Sequence, residues 1–291
     1  MRMLFRLIRA VVPVVVFSLL LSSLFSQGKI VWSAQEQPIF DKIRTLRKLP
    51  DDERAGVTKQ LALQIRALPN ALNKLHLASD LASLATEGDF GRDTLQEVTT
   101  TLEQAVREQP PEAKPGQPAD EYVQLAELAK YEHMQLSLDA PQLKQAFARL
   151  DADDKVRESV DFTLSDLTGR SWTLRDLRGH VVLVNFWATW CPPCRKEMPD
   201  LQTLYQQFRE RGLVILSISD EDAQKVRPFI AANNYSYPIL LDPGSKVHKQ
   251  FAVEGIPKTF VYDRDGKLVA QSIDMRTQHQ FLGMLEAAGL K

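Results

Sequence analysis

From about Pro38 to Leu150, apolar residues return every three or four positions. Leu61, Ile65 and Leu68 stand at i, i+4 and i+7, as do Leu77, Leu81 and Leu84. Leu95, Val98, Leu102 and Val106 continue the spacing. This period predicts amphipathic helices that bury one face each. Leu49-Pro50-Asp51, Leu68-Pro69-Asn70 and Glu87-Gly88-Asp89 interrupt the runs, and Asp51 and Asp139 are candidate N-caps. Gln109 to Pro118 holds four prolines and a glycine, which predicts an extended loop. Helices are expected to follow over about 120–138 and 141–150. The expectation is a small bundle of helical hairpins, with the leucine stripes as its core. No fixed period supports a regular repeat array.

After Asp151-Ala152-Asp153-Asp154 the texture changes. Residues 160–164 and 171–174 predict short strands around Leu167-Thr168-Gly169-Arg170. His180 to Trp187 is a continuous apolar, β-branched run, the pattern of a buried strand in a parallel sheet. A helix is expected from Pro192 to about Arg211, stopped by Gly212. A strand over 213–219, a helix over 222–233 and a strand over 237–241 come next. Residues 259–263 and 267–272 predict a hairpin about Asp265-Gly266, and a helix over 277–288 ends the chain. Strands alternating with helices predict an α/β layer fold. The expected organisation is an N-terminal signal or anchor segment over 1–34, an all-α helical-hairpin domain over 35–155 and an α/β domain over 156–291.

The N-terminal segment carries Arg2, Arg6 and Arg9 ahead of an apolar run from Ala10 to Phe25. A basic stretch followed by an apolar one is the layout of an export signal. The run is short for a spanning helix, and the cleavage signals, Val31-Trp32-Ser33 or Leu24-Phe25-Ser26, are poor. Cleavage and anchoring both stay open. Hydrophobic residues at 44% and charged residues at 25% are ordinary for a globular protein, and a formal net charge of -1 gives no basic field for nucleic acid.

Export changes the meaning of the two cysteines, Cys191 and Cys194, because disulfides persist outside the cytoplasm. They lie three residues apart, between the apolar strand and the following helix. A structural zinc needs about four ligands, and the five histidines stand at no ligand spacing to one another or to the thiols. Haem attachment needs a histidine where Arg195 stands. A purely structural disulfide is conceivable, but closing so small a loop removes little chain entropy. A redox dithiol fits best. The unpaired N–H groups of a helix starting at Pro192 point at Cys191 and favour its thiolate. Cys191 would then attack a substrate disulfide and Cys194 would resolve the mixed disulfide. Pro192 suits the first helical position, and Pro193 restricts the loop further. No cofactor or metal is called for.

The stretch F-W-A-T-W-C-P-P-C-R-K-E-M-P resembles the active-site signature of the thioredoxin-like proteins of the TlpA/ResA class, and the similarity covers about 159–291. The resemblance implies a thioredoxin fold, extracytoplasmic thiol–disulfide exchange, and often a reducing role in cytochrome c maturation. The segment between Asp220 and Phe251 resembles the insertion of this class. Gly255-Ile256-Pro257-Lys258-Thr259-Phe260 resembles its cis-proline loop, which would set Pro257 in cis against the dithiol and offer the Ile256 backbone to a substrate chain. Otherwise it is an ordinary trans turn. Where thioredoxin has a buried aspartate as proton acceptor, this chain has Asn185, which cannot take that proton. Many members of the class use the glutamate three residues after the second cysteine. Here that is Glu197, on one helix face with Cys194; the plainer alternative is a solvated glutamate. Trp187 is expected beneath the site and Trp190 at the surface as a partner contact. Arg195 and Lys196 read as a solvated face, and Thr189 has no assigned task.

The expected function is exported thiol–disulfide exchange on protein disulfides and dithiols, with a membrane-side thiol electron donor. One alternative is a thiol peroxidase of the AhpC/TSA-related type, although the P-x-x-x-T-x-x-C pattern of such enzymes is missing. Another is an adaptor in which the helical part binds a partner.

Overall fold

In the computed structural model, described for residues 30–69 and 72–291, six helices come first. α1 (Gln37–Thr45), α2 (Asp51–Ala67), α3 (Leu72–Ala85) and α4 (Arg92–Glu108) precede the proline-rich loop, and α5 (Asp120–Tyr131) and α6 (Pro141–Ser159) follow it. α2 and α3 pack on α4, and α5 on α6. The leucine stripes meet in one core, where Leu61, Ile65, Leu77, Leu81, Leu102, Val106 and Leu125 are buried.

Three expectations for this half change. Asp51 does not cap α2. It is the first helical residue, and with Asp52 and Glu53 it places acids where the helix dipole favours them. The cap of α6 is Ala140, with Pro141 just inside the helix. α5 stops at Tyr131 rather than near 138, because His133 takes a positive φ of 57° and the Met134 N–H turns back to the Leu128 carbonyl.

α6 also runs through Asp151–Asp154 to Ser159, where the composition predicts a break. The acids are helical because partners from other elements satisfy them. Lys130 pairs with Asp151 and Asp154, and Gln271 Nε2 donates to Asp154 Oδ1 at 2.7 Å. The first strand accordingly starts at 163 rather than 160.

The second half holds a hairpin, β1 (Thr163–Ser165) and β2 (Ser171–Thr173), and a five-stranded sheet. Its strands are β3 (Val181–Phe186), β4 (Leu213–Ser219), β5 (Ile239–Leu241), β6 (Lys258–Tyr262) and β7 (Leu268–Gln271), in the order β5-β4-β3-β6-β7. β3, β4 and β5 are parallel, β6 runs antiparallel to β3, and β7 runs antiparallel to β6. Alternation along β3 sends Val181 and Leu183 to one face and Val182, Val184 and Phe186 to the other. The first face is covered by α7 (Pro192–Phe208), α8 (Ala223–Asn233) and α10 (Gln278–Ala287) through Leu201, Val226 and Phe281. The second packs Phe162, Phe251 and Phe260, beside a short helix, α9 (Lys246–Gln250), that the sequence pattern does not reveal. This is the expected thioredoxin-like α/β fold, preceded by a helical region.

Trp32 to Lys291 is one compact unit, and its two halves meet through polar contacts. Arg157 donates from Nε to the Phe251 carbonyl at 2.9 Å, Thr86 Oγ1 donates to Asp274 Oδ2 at 2.7 Å, and Lys196 pairs with Asp51 at 2.9 Å. The export segment expected over 1–34 falls, up to Lys29, outside the described residues. No helix among the described residues is long and apolar enough to cross a membrane.

Candidate active site

The apolar strand β3 ends at Phe186, and a short loop leads to Cys191, the N-cap of α7. Pro192 and Pro193 open the helix, where a missing N–H costs nothing. Cys191 and Cys194 form a disulfide with an S–S distance of 2.06 Å. The Cys194 backbone N–H donates to Cys191 Sγ at 3.2 Å. The first turn of α7 thus offers an N–H donor to the Cys191 sulfur, a contact of the kind that favours a thiolate.

The Ile256–Pro257 bond is cis, as the loop motif implies, and the Ile256 carbonyl lies 3.8 Å from Cys191 Sγ. Both sulfurs are buried, whereas Trp190 beside them is 68% exposed and Pro192 is also at the surface. Trp187 is buried beneath the site against Phe229, with ring centroids 5.5 Å apart. Pro193 and Ile256 are partly accessible.

Glu197 is not a solvated glutamate. It is 1% exposed, and its carboxyl accepts from Asn185 Nδ2 at 2.8 Å and from the Arg276 backbone N–H at 3.1 Å. Burial pushes its pKa up to about 8, and Asp200 adds to the rise. The Arg276 N–H, the Asn185 amide and the Arg276 charge pull the other way. Asn185 also donates to Thr259 Oγ1 at 3.1 Å and accepts from Ser217 Oγ at 3.2 Å. A polar seam therefore runs beneath the dithiol, from β4 through β3 and α7 to the loop before α10.

The sequence carries little signal for Ser217, Thr259 and Arg276. Ser217 and Thr259 leave a trace there, as polar residues inside apolar strands; Arg276 leaves none. Thr189 gains a task, since its N–H and Oγ1 donate to the Glu221 carboxylate at 2.6 and 3.0 Å and fix the loop ahead of Cys191. Arg195 and Lys196 are exposed, as expected, and each also makes a contact: Arg195 lies over the Phe229 ring at 5.8 Å, and Lys196 reaches Asp51 of α2.

A cleft of about 500 Å³ flanks the cis-proline loop. Ile256 and Lys258 line it from the redox half, and Thr86 and Glu127 from the helices. Burial lowers the pKa of Lys258 and raises those of Glu127 and Asp274.

The AhpC/TSA family model matches residues 156–271. The thiol-disulfide oxidoreductase ResA of Bacillus anthracis is 37% identical over 131 residues, 45% of this chain and 76% of that protein. ResA of Bacillus subtilis (strain 168) is 29% identical over 144 residues, 48% of this chain and 80% of that protein. Among solved structures, a thioredoxin family thiol:disulfide interchange protein from Chlorobium tepidum TLS aligns with a TM-score of 0.41 at 27% identity, covering 44% of this chain and 92% of that one.

Proposed function

The chain belongs to the ResA family of thiol–disulfide oxidoreductases, and from that premise we propose that it works outside the cytoplasm as a reductant of protein disulfides. The observation that carries this is the Cys191 sulfur, held by an N–H of α7 and facing the cis-proline loop. The arginine-flanked apolar segment over 1–34 supports export, and its cleaved or anchored form would keep the enzyme beside the membrane.

Cys191 thiolate attacks one sulfur of a substrate disulfide and displaces the other as thiolate. Cys194 loses its proton to the ionised form of Glu197 and attacks Cys191 Sγ, releasing the second substrate thiolate. The enzyme is left with its disulfide, and a membrane-side thiol protein returns two electrons. A carboxyl that titrates near 8 is matched to a thiol for proton exchange near neutrality. Pro257 holds the loop against the dithiol. Trp190, Pro192, Pro193 and Ile256 receive the substrate chain, and cytochrome c maturation is the setting this chemistry fits. Residues 35–155 and 156–291 divide the labour as a helical and a redox domain.

The reduction potential of the Cys191–Cys194 pair tests this proposal, by equilibration with dithiothreitol or glutathione buffers and thiol trapping. A value of about -270 mV or lower supports a reductant, and one near -120 mV overturns it. The AhpC/TSA match favours a second reading, a thiol peroxidase. The W-A-T-W context before Cys191 lacks the proline and threonine of that chemistry, so hydrogen peroxide turnover is expected to be absent.

A further inference from the structure

The helical half touches the redox half close to the dithiol, and one of those contacts differs from the rest. The Arg276 guanidinium pairs with Glu132, at the C-terminal end of α5. The same Arg276 donates its backbone N–H to Glu197 Oε2 at 3.1 Å. Arg276 is 5% exposed, and its Nε has no hydrogen-bond partner among the described residues. A cation buried this deeply needs its counter-charge, since breaking a buried pair leaves an uncompensated charge. Glu132 supplies it from a fixed position, because the Met134 N–H closes the end of α5 on the Leu128 carbonyl. The loop between β7 and α10 is pinned at two further points. Asp274 accepts from Thr86 of the helical half, and Thr277 caps α10 through the Gln280 N–H.

We propose that Arg276, clamped by Glu132 of the helical half, is a positioning residue of the redox reaction, fixing the N–H that holds the Glu197 carboxyl beneath the dithiol. This rests on Glu197 being the proton shuttle, and it gives the helical half a part in proton transfer. It is also an electrostatic part. The charged or titratable groups acting on Glu197 are Asp200 on α7, Tyr237 ahead of β5 and Arg276 ahead of α10, and Cys194 stands three residues before it on α7. β3 and β6 contribute the neutral Asn185 and Thr259. Arg276 is the cation in that set, and Glu132 offsets it.

The two halves of the clamp therefore act with opposite sign. Arg276→Met removes the cation while keeping the backbone N–H, so Glu197 should hold its proton to higher pH by about one unit. Glu132→Gln removes an anion but can still bond the guanidinium, so Glu197 should release its proton at lower pH. Arg276→Lys should stay near the wild type. A purely structural contact would lower activity at every pH alike and move no midpoint.

The Glu197 carboxyl can be followed by carbon NMR in the full-length oxidised protein, where neither cysteine titrates. Its signal is the one lost in Glu197→Gln. The rate of insulin disulfide reduction by the reduced enzyme is measured over the same pH range. The proposal expects a wild-type midpoint near 8, opposite shifts in the Met and Gln variants, and rate profiles that move with them. An unmoved midpoint in Arg276→Met overturns it; should that variant fail to fold, an unmoved midpoint in Glu132→Gln does the same. A Glu197 signal that titrates near 4.5, or a Glu197→Gln rate profile like the wild type's, overturns the shuttle itself, a different failure.

Discussion

Replacing Glu197 by glutamine should change how stability depends on pH, by an amount the structure sets. In the unfolded chain the carboxyl releases its proton near 4.5; in the folded protein burial holds it to about 8. Between those values the folded state keeps a proton that the unfolded state has lost. Stability should fall as pH rises, by about 1.4 kcal/mol per unit. The full contribution is present below 4.5 and is lost by about pH 8, for a total of at most about 5 kcal/mol. Glutamine cannot titrate, so this slope disappears. It also places an amide N–H against one of the two donors, Asn185 Nδ2 or the Arg276 N–H, a constant cost of about 1 kcal/mol. Glu127 and Asp274 are raised by burial as well, but they remain in both proteins and cancel in the difference. The assay is urea unfolding of the oxidised protein at pH 5, 6, 7 and 8 at fixed ionic strength. The variant should gain on the wild type by about 1.4 kcal/mol with each unit. A difference that stays constant with pH would refute the argument that Glu197 is a buried, neutral carboxyl.

Three further outcomes follow from particular contacts. Asn185→Asp sets a second carboxyl within hydrogen-bond distance of Glu197, so the two should share a proton and titrate as a pair, with a stability loss of about 3 kcal/mol at pH 8 that shrinks at pH 5, read from urea midpoints. Arg157→Met removes the donor to the Phe251 carbonyl and a buried partner of Asp154, and should cost about 3 kcal/mol in the same assay. Asp51→Asn breaks the half-exposed pair with Lys196 and loosens a 3.7 Å contact to the buried Arg54, which keeps Glu87 as its other counter-charge, so it should cost about 1 kcal/mol and leave insulin reduction unaltered.

Much of the α/β half was legible because its signals are local. The apolar run at 180–187, the turn at Asp265-Gly266 and the W-C-P-P-C stretch each announce an element within a dozen residues. The aspartates of α6 misled for the opposite reason. Asp151-Ala152-Asp153-Asp154 looks like a solvated boundary, yet its partners Lys130 and Gln271 arrive from α5 and β7. The candidate site divides the same way. Cys191, Cys194 and Pro257 stand in motifs. Glu197 could be placed on the Cys194 face by helix spacing alone, but its burial depends on Asn185 and on an N–H from Arg276, 79 residues downstream. No periodicity links those positions, and Arg276 by itself is one more surface-type residue.

The continuous helix α6 has a mechanical consequence. It leaves the core of the helical half at Leu143, Ala146 and Leu150 and still has its last turns in place at Arg157, under the sheet. A flexible tether would let the two halves sample many orientations. A helical rod has no such slack, and its end is held to the second half at several points, by the Phe251 carbonyl, the Tyr262 hydroxyl and the Gln271 amide.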